Sequence, residues 1–426
     1  MSTPLTLPWQ EPLAFAPLLD AHQHAALLYS GTPGEKARYS YLCLGARQCY
    51  MGSDLATLKA ALPTDGAWYE HCLVGWLGYG LKNQLEQLPE DAPAPIPTED
   101  YCFVEPEVIY RFCHHSKQVE CVGEHVLSDD WHAPPAPLMD GAVKALRSNM
   151  SKAAYLEHVQ TILEAIRAGT CYQANLTRKF YGEFEAQPSA GGLFTKLCSA
   201  SPANYSALIR AGDISVVSSS PELFLCMDNK RGIHTRPIKG TIGRGENLGE
   251  DNARKQLLAA SEKDKAENLM IVDLMRNDLS RVCEAGSVAV DALFDITTHA
   301  HIHHMSSLVS GRLRAGAHPI DAVAACFPPG SMTGTPKIKA MEICSQLERQ
   351  ARGVYSGVLG WFGGDGSAHL SVVIRTLLLQ GTQFEFQVGG GIVADSVAET
   401  EFEETMDKAR GICEVLGIGM ETLQNL

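Results

Sequence analysis

The strongest constraint on this chain is that its β-rich runs come in pairs with only a few turn residues between them. Residues 206–209 (SALI) are followed by 214–217 (ISVV) after Arg-Ala-Gly-Asp, and 371–379 (SVVIRTLLL) by 384–388 (FEFQV) after Gln-Gly-Thr-Gln. Strands joined so tightly run antiparallel, because a parallel return needs a crossover of about a dozen residues. Helical texture alternates with such pairs from Lys152 onward, which predicts an antiparallel α+β architecture rather than a βαβ repeat. No internal repeat or low-complexity tract interrupts it.

Two Pro/Ala-rich stretches, 91–100 (DAPAPIPTED) and 132–140 (HAPPAPLMD), read as loops. They set off an amino-terminal part, 1–145, from a second part, 146–426. Within the first, 72–81 (CLVGWLGYGL) and 107–112 (EVIYRF) read as strands. A net charge of -14 and a pI near 5.5 argue against neutralising nucleic-acid phosphates or an anionic membrane surface. An anionic substrate then needs local positive charge or a metal. No run approaches the roughly 18 apolar residues of a membrane helix, and no basic stretch precedes an apolar one at the amino terminus. A soluble, cytoplasmic protein is the expectation. The 13 cysteines include no C-x-x-C pair, so reduced, mostly buried thiols are expected.

Several segments could carry chemistry. In 266–281 (AENLMIVDLMRNDLSR), helical periodicity puts Met270, Ile271, Leu274, Met275 and Val282 on one arc, and Glu267 falls within it. A carboxylate there needs a salt-bridge partner or a metal. A last helix, 397–416, buries Phe402, Met406, Ala409, Cys413 and Leu416, leaving Glu404 and Lys408 as an i,i+4 pair on the polar face. In 236–245 (RPIKGTIGRG), Lys239 stands between a proline and a glycine-rich turn, suited to an anion clamp, an amine nucleophile or simply an exposed basic loop. The run 329–337 (PGSMTGTPK) fails the phosphate-loop pattern G-x-x-x-x-G-K-[ST], so a nucleotide site is rejected. Glycines in 388–392 (VGGGI) either bend the chain or offer N–H groups to a carboxylate. His299, His301, His303 and His304 read as a strand of solvated imidazoles, with zinc or nickel binding as the sharper alternative.

Taken in order, GTCYQANLT (169–177), SPELF (220–224), RPIKGT, AENLMIVDLMRND, the His304-Met pair, PGSMTGTPKIKAMEI, SVVIRT, GGGIVADS and ETMDK resemble the chorismate-utilising enzymes: anthranilate, aminodeoxychorismate, isochorismate and salicylate synthases. The likeness runs through about 150–415. It implies an anthranilate synthase large-subunit-like fold, an antiparallel β-sandwich core surrounded by helices, to which both parts of the chain contribute strands. LLYSG (27–31) and SPANYSALI (201–209) resemble segments that form a tryptophan site in some members. Lysine in PIKGT is characteristic of the aminodeoxychorismate branch, where anthranilate synthases carry alanine. Gln173 stands where isochorismate and salicylate synthases place a water-activating lysine, a role an amide cannot fill.

The roles that follow are implied by the resemblance. Glu267 and Glu404 hold Mg²⁺, with Asp264 and Glu401 behind them. Tyr355, Arg375, Lys408, Gly389, Gly391 and Gln173 receive chorismate, with Thr241 and His304 near its ring and C4 hydroxyl. Glu222 is the general acid and Lys239 the covalent nucleophile for amination at C4. No G-x-C-x-G glutaminase motif is present, so ammonia is expected from a separate glutamine amidotransferase subunit. The rival readings are an anthranilate synthase large subunit and a non-catalytic scaffold binding metal through the histidine cluster.

Overall fold

The computed structural model describes residues 4–31, 38–127, 141–299 and 302–426. Its β-structure forms one twelve-stranded and one ten-stranded sheet, and the pairings are antiparallel throughout. Short turns impose this, as the sequence predicts, and the fold class is α+β. Strands from either side of residue 145 share both sheets: His24–Tyr29 pairs with Tyr205–Ala211 in the larger, and Leu73–Leu77 with Val358–Phe362 in the smaller.

Three apolar cores hold these layers. Trp76, Ile109, Ile209, Val216, Leu359 and Leu378 pack between the sheets. Phe180, Phe386, Leu163, Phe194 and Phe402 join the larger sheet to the helices Lys152–Arg167, Ala190–Ala200 and Ala398–Leu416. Phe224, Leu370, Ile271, Met275 and Val323 seat Glu262–Ser280 and Pro319–Cys326 on the smaller sheet. Each fully buried side chain of this size stabilises the fold by about 2 kcal/mol.

Several expectations are corrected. The run 371–379 is two strands, Ala368–Val372 in the smaller sheet and Thr376–Gln380 in the larger. Arg375, with φ 50, turns the chain between them. The partner strands Ile214–Ser220 and Leu223–Met227 cross between sheets at the same place, with Glu222 at the crossing. Hydrophobic patterning cannot reveal such a crossing, because apolar residues continue on both sides. Similarly, 72–81 is a strand only over Leu73–Leu77 before a short 3₁₀ turn, Tyr79–Leu81. The glycines of VGGGI do not bend the chain; they lie within the strand Gln383–Ile392, paired to Gln173–Phe184.

The helix expected at 266–281 spans Glu262–Ser280 and starts earlier because the Ser261 side chain accepts the Asp264 N–H at 3.3 Å, a cap worth about 1 kcal/mol. Ala398–Leu416 ends at Gly417, whose φ of 65 suits a glycine stop. Lys337 is structural: its Nζ donates to Asp278 at 2.7 Å and to the carbonyls of Cys326 and Pro328. All cysteines are free thiols, buried except for half-buried Cys49 and Cys226. No described helix is long and apolar enough to cross a membrane. The loop expected at 132–140 lies outside the described residues.

Candidate active site

Lys239 lies on Ile238–Gly243, at the edge of the smaller sheet. The register with Ile302–Arg312 slips between Ile238 and Thr241, a bulge that re-aims the lysine side chain. Gly240 makes the bulge possible: its φ is +88, and a β-carbon there would lie 3.0 Å from the side chain of Asp264. The exposed basic loop is therefore not what forms. Lys239 is only 14% exposed, and its Nζ stands 3.8 Å from Glu267 Oε2.

Glu267 sits at the margin of its helix's buried face, whose centre is Asn268, Ile271, Val272 and Met275. Burial raises its carboxyl, against the pull of Lys239 and Lys263 and with the push of Glu404 and Asp264. Glu404 comes from Ala398–Leu416, which a short helix, Met420–Gln424, follows, and it pairs with Lys408 at 2.7 Å, the spacing the sequence predicts. Burial pushes its carboxyl up, but Lys408, then Lys239 and Lys263, outweigh this and hold it below the usual range. Glu401, one turn earlier, is buried, accepts from Ser396 Oγ at 2.6 Å, and lies 3.8 Å from Lys263. Among the described residues no group of three or more His, Cys, Asp or Glu stands in a metal-ligating arrangement. Glu267 and Glu404 nonetheless supply the hard carboxylate oxygens Mg²⁺ prefers, and Mg²⁺ commonly takes only one or two of these, filling its shell with water and substrate oxygens. The pair therefore fits the ion.

Gln173 is fully buried, and among the described residues neither amide atom has a partner. It opens the strand that faces the glycines, with Asn175 opposite Gly391 and Thr177 opposite Gly389. The N–H groups of Asn175 and Thr177 turn away, to Thr333 O at 2.8 Å and Glu348 Oε1 at 2.9 Å. In an antiparallel ladder this leaves the backbone groups of Gly389 and Gly391 directed to the free side. Gly389 O accepts there from Lys408 Nζ at 2.8 Å. Two glycine N–H groups thus border the carboxylate cluster.

At the seam where strands change sheets, burial pushes Glu222 up to about 7, against the pull of the Ser331 hydroxyl and the Lys239 ammonium. Burial lowers Arg375, with no carboxylate among the described residues opposing it. Arg375 in turn acts on His304, which is pushed down to about 3 by burial, then Arg375 and His299. His304 Nδ1 lies 2.7 Å from Thr241 Oγ1. Tyr355 is buried, its phenol pushed up by burial against Arg352, and no hydrogen bond or ion pair among the described residues ties it to the lysine cluster. The other predicted residues converge.

The histidine cluster is not a solvated strand. Ala289–Thr298 and Ile302–Arg312 pair antiparallel; His299 follows the first strand and meets the His304 ring edge-on, with centroids 5.3 Å apart, while His303 lies on the second strand. His303 is buried between Thr298 Oγ1 at 2.9 Å and Asp251 at 3.0 Å. His304 alternates to the opposite face, toward Thr241, and His301 lies outside the described residues. A shared metal face is absent among those described. Sequence reading missed Lys263, 3.9 Å from Glu267, although its i,i+4 spacing to that residue is the kind of signal that could have found it.

A separate cavity of about 760 Å³ opens between the sheets. Leu28, Tyr29 and Ser30 of LLYSG and Asn204, Tyr205 and Ser206 of SPANYSALI line it, with Trp68 and Trp361 among the other walls.

The family model for chorismate-binding enzymes matches residues 45–414. The chain belongs to the chorismate-binding enzyme family. Within this family, aminodeoxychorismate synthase component 1 of Escherichia coli (strain K12) is 36% identical over 363 residues, covering 80% of this chain and 76% of that one. Anthranilate synthase component 1 of Thermus thermophilus is 35% identical over 355 residues, again covering 80% and 76%. The aminodeoxychorismate synthase of Streptomyces griseus is 36% identical over 391 residues, 86% of this chain and 53% of its own length, so the chain spans about half of that protein. Among solved structures, anthranilate synthase component I from Streptococcus pneumoniae TIGR4 has a TM-score of 0.77 at 26% identity, covering 89% of this chain and 92% of its own. The menaquinone-specific isochorismate synthase of Escherichia coli has the same TM-score at 16% identity, covering 97% and 94%, and shares the fold.

Proposed function

We propose that this chain is the chorismate-binding subunit of an aminodeoxychorismate synthase, converting chorismate and ammonia to 4-amino-4-deoxychorismate for p-aminobenzoate and folate synthesis. The observation that carries this reading is the placement of Lys239: a largely enclosed, bulge-aimed amine between Glu267 and Gly391, beside the Gln173 amide, which has no partner among the described residues. Relatives of both names stand at comparable identity, so the choice rests on that lysine.

Arg375, whose guanidinium has no carboxylate partner among the described residues, and the N–H groups of Gly389 and Gly391 would take the substrate carboxylates, with Lys408 and Tyr355 completing the wall. Glu267 and Glu404 would hold Mg²⁺, with Asp264 and Glu401 behind them; when bound, the ion neutralises and orients a carboxylate. Glu222, partly protonated near neutral pH, donates its proton to the C4 hydroxyl. Once deprotonated, the amine of Lys239 attacks C2, the two conjugated ring double bonds shift, and the C4–O bond breaks to release water. Ammonia then attacks C4, both double bonds shift back, and the C2–N bond breaks to free the lysine. The proton shed by the new C4 ammonium returns to the Glu222 carboxylate, so one water leaves for each ammonia bound. His304, neutral with a value near 3, serves as a hydrogen-bonding neighbour of Thr241 rather than as a charged acid. Gln173 offers the incoming ammonia a neutral donor and acceptor.

Ammonia would come from a glutamine amidotransferase partner, in the cytoplasm. Tryptophan is the proposed occupant of the cavity between the sheets, where aromatic rings can stack on an indole; titration with tryptophan while following protein melting tests this. The reaction is tested by incubating the chain with chorismate, Mg²⁺ and ammonium and identifying the product by mass spectrometry. Aminodeoxychorismate supports the proposal. Anthranilate with pyruvate would instead establish the second reading, which relatives of that name favour.

A further inference from the structure

Two helices bring their amino-terminal turns together at the carboxylate cluster, Asp264 and Glu267 on Glu262–Ser280, Glu401 and Glu404 on Ala398–Leu416. Four carboxylates this close need positive charge whether or not a metal is present. Lys408 is committed, bonded to Glu404 at 2.7 Å and to Gly389 O at 2.8 Å. Lys239 is committed to the reaction proposed above. Lys263 differs from both: its Nζ lies 3.9 Å from Glu267 Oε1 and 3.8 Å from Glu401 Oε1, shared between the two helices. Both distances exceed a hydrogen bond, and its ammonium makes none among the described residues. Its side chain is 49% exposed, so a four-carbon stem can swing it into solvent at little cost.

We propose that Lys263 is a resident counter-ion of the metal-free cluster, which yields its place when a divalent cation binds and so sets the cation affinity of the site. The inference rests on the reading that Glu267 and Glu404 hold Mg²⁺. Glu267 Oε1 cannot serve both partners, since Mg²⁺ approaches a carboxylate oxygen to about 2.0–2.1 Å. A dication there would repel an ammonium still paired to the same oxygen. The lysine thus keeps the two helices together without metal and competes with the metal when it arrives. A purely structural lysine would support the helices in both states and leave affinity unchanged or, once removed, lower it.

The test is Mn²⁺ binding to the full chain, read from the electron paramagnetic resonance signal of free Mn²⁺, with melting curves run alongside. For Lys263→Met the expected result is a dissociation constant lowered about tenfold. The metal-free Tm of this variant falls, and saturating Mn²⁺ raises it by more than in the wild type. Lys263→Arg, which restores the charge, returns both values toward wild type. Unchanged or weaker Mn²⁺ binding by Lys263→Met, or by Lys263→Gln should the former not fold, overturns the proposal. If wild type binds Mn²⁺ and Glu267→Gln abolishes this, such a result sinks the counter-ion role alone; if wild type binds no Mn²⁺, the metal reading falls with it.

Discussion

Lys239 Nζ and Gln173 Nε2 meet over the α-carbon of Gly391, where a β-carbon would lie 3.0 Å from the first and 2.7 Å from the second. The two residues come from different sheets, the lysine from the edge of the smaller and the glutamine from the larger. A missing side chain on a third strand lets them converge. Gly391→Ala is therefore expected to cut turnover by about a hundredfold, the scale of a 1 Å misplacement of reacting groups. Its circular dichroism and Tm should stay near wild type, because the displaced atoms are ends of flexible side chains. Steady-state kinetics with ammonium checks this; unchanged turnover would mean the amine does not act from where it lies.

Glu222 gives the reaction a pH signature. Raised from an ordinary 4.5 to about 7, it is a competent acid below that value, so kcat should fall as pH rises through about 7. The limb should vanish in Glu222→Gln together with most of the rate. The neutral acid is also the form the fold prefers, so this group's contribution to stability is full at low pH and declines as pH rises through about 7. A pH–rate profile without such a limb would remove Glu222 from the acid's role.

Arg375 pairs an unusual backbone with a guanidinium that has no carboxylate partner among the described residues. Non-glycine residues in the left-handed region cost on the order of 1 kcal/mol, and here φ is 50 at the sheet crossing. Arg375→Ala should raise KM for chorismate at least about tenfold while leaving Tm nearly unchanged. Equal KM values for the two proteins would show that the guanidinium does not touch the substrate.

Lys337 tests the opposite kind of role. Its pair with Asp278 at 2.7 Å is largely buried, and removing one partner of such a pair typically costs about 3 kcal/mol. Lys337→Met should show that loss in urea unfolding, with KM for chorismate little changed in the protein that remains folded.

Much of this was legible in the sequence because the signals were local. Turn lengths fixed the antiparallel pairing at Ala211–Ile214 and Gln380–Gln383, and i,i+4 spacing located the Glu404–Lys408 pair. What stayed hidden depends on where strands lie relative to one another. The split of 371–379 between sheets, the inclusion of Gly389 and Gly391 within a strand, and the burial of His303 against Asp251 are decided by tertiary pairing. Composition cannot distinguish a glycine that bends a chain from one that makes room for a neighbour's amine. The catalytic roles came from resemblance; the geometry adds that a bulge at Gly240 and a gap at Gly391 aim and admit the lysine.

The most direct test of covalent catalysis at Lys239 is rapid-quench mass spectrometry of the chain mixed with chorismate and Mg²⁺ in the absence of ammonia. The account predicts an adduct of the mass of chorismate less water, mapped to the peptide bearing Lys239, discharged to aminodeoxychorismate when ammonium is added and missing from Lys239→Ala. No adduct on that peptide, with Lys239→Ala still aminating C4 at the wild-type rate, would contradict it.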